Sequence, residues 1–357
     1  MKRLSIPKSS GVRICLAAGG WLLVITALHL YLNGNKRGVN LVRMGYMPVV
    51  TNLAAPLVDY VTKSDNLHFE AVKFSSFSDM GEAFRSGAIQ AAFIIAPLAI
   101  RLFEQGVPLK IVYIGNRNES TLIVKAGLHI ESPEDLAGKT IAVPIRYSGH
   151  FLALSRYMRE HDLDKSSVNI VEVPPPEMTA ALASSQIDGF FVGEPFGGQA
   201  IAAGIGKRFL YAESIWPKFI CNVLIVRTEL ICSHPQWVRQ LVVAAAGSGL
   251  WARTHVAEAV RIVSPYWGMD PHLMEYDFSH PPGRFRFDLY VPVAGELSEM
   301  AGEMRKDDLL QGNINVGAMV EDQFAKAARG YFAGPVDNLY SIKWRQGKGF
   351  RMQAAQR

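Results

Sequence analysis

Residues 180–200, AALASSQIDGFFVGEPFGGQA, contain the side chains that are best placed to hold a ligand. A short amphipathic helix, 180–185, leads into a buried strand, 187–192, which breaks at Glu194 and Phe196 before a Gly-rich helix. Open α/β sheets bind ligands at such strand ends, because backbone N–H groups and helix N-termini converge there. The run offers no nucleophile paired with a base, so we expect ligand binding and no catalytic residues.

A second candidate site lies in residues 144–150, PIRYSGH. Ser148 and Gly149 open a predicted helix and offer a hydroxyl and free N–H groups, which suit a carboxylate, sulfonate or nitrate. Arg146 would add a bidentate contact. Ser148 as a simple N-cap and Arg146 as a solvated side chain are equally open interpretations. His150 either donates to a ligand or caps the helix start.

Glu194 has three open roles. Its carboxylate would bind a cationic group, brace the opposite half of the protein, or lie at a helix start, where the macrodipole favours negative charge. Phe196, Trp216 and Tyr46 would together form an aromatic wall, although each alone is more typical of a packing residue.

The elements that must position these side chains repeat. Residues 82–97 follow the same order of helix, strand, small residue, proline and helix as residues 180–200. Two copies without a short fixed period favour two similar α/β lobes over a solenoid. Strands alternating with helices predict largely parallel sheets. The predicted strands are 39–46, 68–74, 89–95, 109–114, 121–125, 140–143, 168–173, 187–192, 209–211 and 222–227.

The predicted architecture is two lobes joined by a two-stranded hinge, with crossovers near 126–130 and 219–223. Such lobes enclose a cleft and can close on a ligand. Strand ends and helix starts select the residues that line it. The predicted ligand-binding residues are Tyr46, Pro48, Thr51, Asn52, Ala96, Pro97, Arg146, Tyr147, Ser148, Gly149, His150, Glu194, Phe196 and Trp216, with Phe219 beside the return crossover.

The charge distribution argues against a nucleic-acid partner. The formal net charge is +5, but residues 1–38 hold six basic and no acidic side chains, and residues 343–357 hold five basic and none acidic. The remaining 26 basic and 32 acidic residues leave the folded middle with a net negative charge. The basic pI therefore describes the two ends of the chain.

The N-terminal segment predicts a membrane helix. Residues 14–32 contain no charged side chain and are long enough to cross a bilayer. Preceding basic residues would stay in the cytoplasm and place the body on the periplasmic or extracellular side. The segment lacks a small-x-small cleavage site, so we expect an uncleaved signal anchor in the cytoplasmic membrane rather than a cleaved secretory signal.

The three cysteines indicate no metal site, because they show no CxxC or Cys/His spacing. Cys15 lies in the apolar segment. Cys221 and Cys232 would form a disulfide in an oxidising compartment, or would both be small buried hydrophobic residues. We expect neither a metal nor a cofactor.

Several motifs, in their order, resemble substrate-binding proteins of the nitrate, sulfonate and taurine class of ABC importers, also called SsuA/THI5-like or NMT1-like proteins. The resemblance covers about residues 39–330. The motifs are GYMP at 45–48, AAFIIAPLA at 91–99, GKTIAVP at 138–144, IDGFFVGEPF at 187–196 and IWP at 215–217. One departure is Gln90, where the family usually carries an aspartate like Asp188.

The resemblance implies a type II periplasmic-binding-protein fold with two Rossmann-like lobes. It also implies extracytoplasmic capture of a small anionic solute, which an ABC permease and its ATPase subunit would import. A membrane-tethered sensor with a partner chain and an NMT1/THI5-like enzyme are the alternatives. The implied divisions are 1–38 for the stub and anchor, 39–127 and 222–335 for lobe 1, 128–221 for lobe 2, and 336–357 for a basic tail.

Overall fold

The computed structural model describes residues 10–34, 40–279, 281–332 and 336. The chain divides into two compact units, residues 1–40 and residues 41–357. The predicted basic stub before residue 10 and the predicted basic tail, apart from residue 336, lie outside the described residues.

The described part of the first unit is one helix, α1 (Ser10–Gly34), which contains the predicted apolar segment 14–32. Its described side chains include the exposed Trp21, Leu22 and Leu23. Over the described part of the chain, no helix combines the length and the apolarity that a membrane crossing requires. The predicted N-terminal membrane helix therefore has no support from the described residues.

The second unit contains two five-stranded mixed sheets. The first sheet has the strand order β2-β1-β3-β10-β4. Its strands are β1 (Asn40–Tyr46), β2 (Leu67–Lys73), β3 (Ala91–Ile95), β4 (Leu109–Ile114) and β10 (Asn222–Arg227). The second sheet has the order β7-β6-β8-β5-β9. Its strands are β5 (Ser120–Lys125), β6 (Thr140–Val143), β7 (Asn169–Glu172), β8 (Gly189–Gly193) and β9 (Gly206–Tyr211). The predicted α/β class with two sheets is confirmed.

The helices cover the sheet faces. Those between the strands are α2 (Ala54–Thr62), α3 (Phe77–Arg85), α4 (Ala96–Glu104), α5 (Gly149–Glu160), α6 (Pro175–Ala183), α7 (Phe196–Ala202) and α8 (Ala212–Ile215). Those after the last strand are α9 (Thr228–Ser233), α10 (Pro235–Ala252), α11 (Val256–Trp267), α12 (Pro271–Ser279), α13 (Ala294–Lys306) and α14 (Gln323–Tyr331). Short 3₁₀ turns lie at Val50–Asn52, Pro133–Leu136 and Val316–Met319.

The two sheets are built alike, as the internal repeat predicts. In each sheet the central strand, β3 or β8, pairs in parallel with one neighbour and antiparallel with the other. Gln90 precedes β3 and accepts the Arg43 N–H through Oε1 at 3.0 Å. Asp188 precedes β8 and accepts the Thr140 N–H through Oδ2 at 2.8 Å. Gln90 therefore keeps the hydrogen bond that Asp188 makes, although the residue type differs.

The first crossover between the sheets differs from the prediction. Strand β5 pairs with β8 and β9, so it belongs to the second sheet. The chain thus crosses at 115–119 rather than near 126–130, and the predicted boundary at residue 127 falls after β5. It returns at 216–221, close to the predicted 219–223. An isolated antiparallel bridge between Arg117 and Ile220 joins the two crossover segments.

The sheets share one continuous core and are more closely joined than the predicted lobes. A cluster of buried apolar side chains extends from Ile94 in β3 through Met300 in α13 to Phe190 in β8. Helix α13 also forms ion pairs with α5, including Arg156 to Glu299 at 3.1 Å. A second apolar cluster lies between the first sheet and helices α2, α10 and α11.

Candidate functional site

Residues that the sequence placed on opposite sides of a cleft meet directly. The 3₁₀ turn Val50–Asn52 follows β1, and the Val50 N–H donates to the backbone carbonyl of Glu194 at 2.8 Å. Pro48, Thr51 and Asn52 are all buried beside this contact. The ends of β1 and β8 therefore lie together where the two sheets meet.

The return crossover completes this junction. The Asn222 side chain donates to Asn52 Oδ1 at 2.6 Å, and Asn52 Nδ2 donates to the Met47 carbonyl at 3.1 Å. Ala96, at the end of β3, donates its N–H to the Cys221 carbonyl at 2.9 Å. Pro97 follows in the first turn of α4, where it needs no N–H partner. Asn52 and Ala96 are thus tied to the same segment of chain.

Ser148 is the N-cap of α5. Its Oγ accepts the Phe151 N–H at 3.1 Å, and the residue is fully buried. The N-cap interpretation is confirmed. Gly149 has no room for a side chain, because a Cβ there would lie 2.9 Å from Phe219 Cζ. The start of α5 is therefore packed against the return crossover.

His150 lies at the centre of the junction. Its Nε2 is 2.9 Å from Ser120 Oγ, and its ring packs against Phe191 and Phe219 at centroid distances of 5.5 and 5.8 Å. Burial lowers the His150 pKa from 6.5 to about 3, so the imidazole is neutral at neutral pH. Its Nδ1 has no hydrogen-bond partner among the described residues.

Glu194 is bound by groups of the protein itself. Its carboxylate accepts from Thr121 Oγ1 at 2.5 Å and from the Gly198 N–H at 2.9 Å. Arg284 Nη1 lies 3.8 Å from Glu194 Oε1. Of the three predicted roles of this carboxylate, the structure shows the helix-start position, through the Gly198 N–H in the first turn of α7, and a cationic neighbour in Arg284. The contact with Val50 across the sheets is made by the backbone carbonyl of Glu194.

Sequence reasoning missed Arg284, which follows α12 in a loop. It pairs with Glu213 at 2.7 Å, donates to the Ser120 carbonyl at 2.6 Å, and lies 3.8 Å above the Tyr211 ring. Its side chain is only 6% exposed. No local pattern around residue 284 signals this role, since its ion-pair and hydrogen-bond partners Glu213, Glu194 and Ser120 lie far away in the sequence.

Three buried carboxyl groups gather around this guanidinium: Glu119, Glu194 and Asp277. Burial raises the Glu119 pKa to about 7, and nearby Arg284 opposes the rise. Burial and, to a smaller extent, the charge of Glu194 raise the Asp277 pKa to about 8. At neutral pH the cluster therefore retains protons, which limits the negative charge that the interior must hold.

Other predicted site residues lie outside the junction or serve packing. The Tyr46 hydroxyl donates to the Tyr266 carbonyl at 3.1 Å, within the core beneath α2 and α11. Arg146 is exposed, and its N–H donates to Glu172 at 2.9 Å. Tyr147 lies under Arg101 of α4 at 5.7 Å.

The three residues of the predicted aromatic wall fall into two different apolar clusters. Phe196 is buried at the start of α7, and Trp216 meets Phe219 edge to face at 6.4 Å. Arg156 lies 5.4 Å from the Trp216 ring centroid. Tyr46 faces the other side of the first sheet, because alternate residues of a strand point to opposite faces. Tyr46 is therefore separate from Phe196 and Trp216.

The two described cysteines differ from each other. Cys221 is a buried free thiol, whereas Cys232 is exposed and also free. The disulfide between them is wrong, and so is the expectation that both are buried. Burial raises the Cys221 thiol pKa well above its usual range. A thiol with a raised pKa holds little thiolate at neutral pH, and the thiolate is the nucleophilic form.

Two relatives bear out the resemblance of the sequence. The chain is 31% identical over 180 residues to the taurine-binding periplasmic protein of Escherichia coli (strain K12), covering 48% of this chain and 54% of that protein. It is 23% identical over 245 residues to the nitrate/nitrite binding protein NrtA of a Nostoc species (strain PCC 7120), covering 61% and 55%. The chain thus spans about half the length of these curated relatives.

A solved structure shows the same fold. The ligand-binding component of an ABC-type import system from Staphylococcus aureus, with zinc bound, superimposes with a TM-score of 0.73 at 23% identity. The match covers 81% of this chain and 99% of that one. The α/β fold with two mixed sheets is therefore shared with that binding component. The NMT1-like family model matches residues 35–264, well over half of the sequence, and the chain belongs to the NMT1-like family.

Proposed function

We propose that this chain is the extracytoplasmic solute-binding component of an ABC importer, which delivers a small solute to a permease and its ATPase subunit. The names of the taurine and nitrate relatives support this role. The junction also contains contacts of the kind that would hold lobes closed around a solute.

Buried polar groups without partners carry the proposal. Thr51 Oγ1, both side-chain polar atoms of Asn116, and His150 Nδ1 are buried with no hydrogen-bond partner among the described residues. Buried polar groups are nearly always paired, and an unpaired one costs about 1–3 kcal/mol. The groups come from the turn after β1, the first crossover and α5, where the two sheets meet. A bound polar solute would supply the missing partners.

In this proposal the lobes follow the two sheets, so the first lobe boundary moves from residue 127 to the crossover 115–119. The compact arrangement is the closed one. Opening would break the Val50 to Glu194 hydrogen bond and expose the junction. Small-angle scattering should show a smaller radius of gyration when solute is added, whereas an unchanged radius would contradict closure by hinge motion.

The Glu194 carboxylate affects which charge a solute at the junction can carry. The Glu194 carboxylate opposes a purely anionic group beside it, but would favour an ammonium group. We therefore propose a solute with an oxyanion and a cationic group, which modifies the purely anionic solute that the sequence suggests. Taurine and ethanesulfonate form a matched pair, since they differ chiefly in the amine.

The test is a thermal-shift titration of the full chain with taurine, ethanesulfonate, nitrate and bicarbonate. A ligand that binds only the folded state raises Tm in a saturable manner. We expect taurine to raise Tm more than ethanesulfonate does at the same concentration. A larger rise with ethanesulfonate would reject the proposed preference for a cationic group. Absence of any saturable shift with small oxyanions would count against the proposed role. Recovery of unaltered solute by mass spectrometry would exclude its turnover.

Retention at the cytoplasmic membrane is a separate part of the proposal and is supported by the sequence only. Residues 14–32 lack charged side chains over a length that spans a bilayer. Alkaline carbonate extraction of cells that express the full chain would test it. We expect the protein in the pellet, and its complete release would contradict retention.

A further inference from the structure

Three side chains with metal-binding atoms converge in the junction. Glu119, His150 and Cys221 are all buried, and their potential ligand atoms lie within 4.8 Å of one another. Glu119 ends the first crossover, His150 belongs to the first turn of α5, and Cys221 ends the return crossover. The fold therefore brings together an oxygen, a nitrogen and a sulfur donor that are far apart in the sequence.

The spacing of the donors suits a tetrahedral ion. Cys221 Sγ lies 3.7 Å from His150 Nε2. Zinc bonds of about 2.3 Å to sulfur and about 2.05 Å to nitrogen, at a tetrahedral angle, place the two donors about 3.6 Å apart. The Glu119 carboxylate, with a potential ligand atom within 4.8 Å of both of these donors, would supply the third ligand.

Ser120 offers a polar group at the fourth side. Its Oγ lies 2.9 Å from both His150 Nε2 and Glu119 Oε1. A water molecule or this hydroxyl would complete four-coordination, as in zinc sites with three protein ligands. His150 Nδ1, on the other side of the ring, is left for a hydrogen-bond acceptor, which commonly orients metal-bound imidazoles.

The charges also balance. A divalent ion with one thiolate, one carboxylate and a neutral imidazole has no net charge, which reduces the cost of burying it. Arg284, whose charge acts on Glu119, donates to the Ser120 carbonyl and pairs with Glu213. Nitrogen and sulfur donors select zinc and similar transition metals over magnesium or calcium.

We propose that Glu119, His150 and Cys221 form a binding site for one zinc-like divalent cation at the junction of the two sheets. The ion would link both crossover segments to α5 and so stabilise the packed arrangement. The site goes beyond solute import and does not depend on it, because the three donors come from the protein alone.

The test uses a full-length variant in which Cys221 is the only thiol, Cys15→Ala with Cys232→Ala. The protein is freed of metal by denaturation with a chelator and refolded with Co²⁺. Denaturation is needed because the donors are buried. We expect one Co²⁺ per chain, the near-ultraviolet charge-transfer band of a cobalt–thiolate bond, and the visible bands of tetrahedral cobalt. Zn²⁺ should displace the cobalt and abolish these bands.

Three further variants identify the ligands. Cys221→Ser should abolish the charge-transfer band, and His150→Gln and Glu119→Gln should each weaken zinc binding at least tenfold in chelator competition. Exposed His234, changed to Gln, is the matched control and should leave binding unchanged. If the variant with Cys221 as its only thiol folds but shows no cobalt–thiolate band, the proposal is overturned. This outcome does not depend on whether the three ligand variants fold. Titrating metal-free protein with solute tests the solute-binding role by itself. Failure of the metal site can therefore be distinguished from failure of the proposed transport role.

Discussion

The Val50 N–H and the Glu194 carbonyl oxygen lie 2.8 Å apart, and their hydrogen bond joins the end of β1 to the end of β8. Because both groups belong to the backbone, this link between the sheets does not depend on the Glu194 side chain. The carboxylate is free for a different task, which is to bind Thr121, Gly198 and Arg284. Substitutions of Glu194 should therefore act through that cluster rather than through this link.

Arg284→Met should destabilise the fold strongly. The change leaves Glu194 and Glu213 without their guanidinium partner in a buried setting, which costs about 3–5 kcal/mol for a broken buried pair. Urea denaturation of the full chain measures the loss. Arg286→Met is the control, because its pair with Asp288 is partly exposed and worth about 0–1 kcal/mol. Equal losses in the two variants would disprove the special role of Arg284.

Gly115→Ala should also destabilise the fold, for a steric reason. A Cβ at Gly115 would overlap the Thr51 carbonyl oxygen, which is backbone and cannot rotate away. Overpacking of this kind costs about 1–3 kcal/mol. Gly81→Ala in α3 should act oppositely and gain up to about 1 kcal/mol, since its Cβ meets only side chains at ordinary distances. A neutral Gly115→Ala would mean that the turn after β1 moves freely.

Asp277 should make stability depend on pH. Burial raises its pKa from 3.8 to about 8, so between these values the folded chain holds a proton that the unfolded chain has lost. The free energy of unfolding therefore decreases as the pH rises through this window. One such proton contributes a slope of about 1.4 kcal/mol per pH unit.

The comparison with Asp277→Asn isolates this proton, because contributions from Glu119 and His150 occur in both proteins. We expect wild-type stability to fall relative to the variant by about 1.4 kcal/mol per unit between pH 5 and pH 7. Denaturation curves across that range provide the measurement. Parallel pH profiles would show that Asp277 ionises normally.

Ser148→Ala should affect stability and solute binding separately. Loss of the N-cap hydrogen bond to Phe151 costs about 1 kcal/mol in urea denaturation. If the start of α5 also holds the solute, the same variant should bind the best ligand at least several-fold more weakly by calorimetry. Ser132→Ala, at a capping box remote from the junction, controls for the loss of a cap. Unchanged affinity for Ser148→Ala would exclude this contact.

Local sequence patterns predicted most elements of the second unit. Strands 109–114, 140–143 and 222–227 have their predicted bounds, because apolar runs mark them. The helix that Ser148 and Gly149 were predicted to open begins at Gly149, with Ser148 as its N-cap. Residues 235–263, where apolar residues recur at helical spacing, form two helices: α10 ends at Ala252 and α11 begins at Val256.

Contacts between distant segments were not predictable in the same way. The sequence of β5 predicts a strand but not its sheet. Only its pairing with β8 shows that it belongs to the second sheet. Arg284 and Asp277 meet Glu194 although they lie about eighty to ninety residues later in the chain. A single sequence does not reveal such partners, whereas Ser148 was identifiable because its cap bond is local.

The late position of Asp277, Arg284 and Glu296 has a consequence for biogenesis. All three follow residue 264, where the family match ends, yet Glu296 pairs with Arg117 of the first crossover, Arg284 lies beside Glu194 after β8, and Asp277 packs against Gly198 of α7. A nascent polypeptide that has emerged only to residue 264 therefore holds Glu194 without the arginine that neutralises it. Until Arg284 has been synthesised and has left the ribosome, we expect the nascent chain to be bound by chaperones and cleaved by proteases.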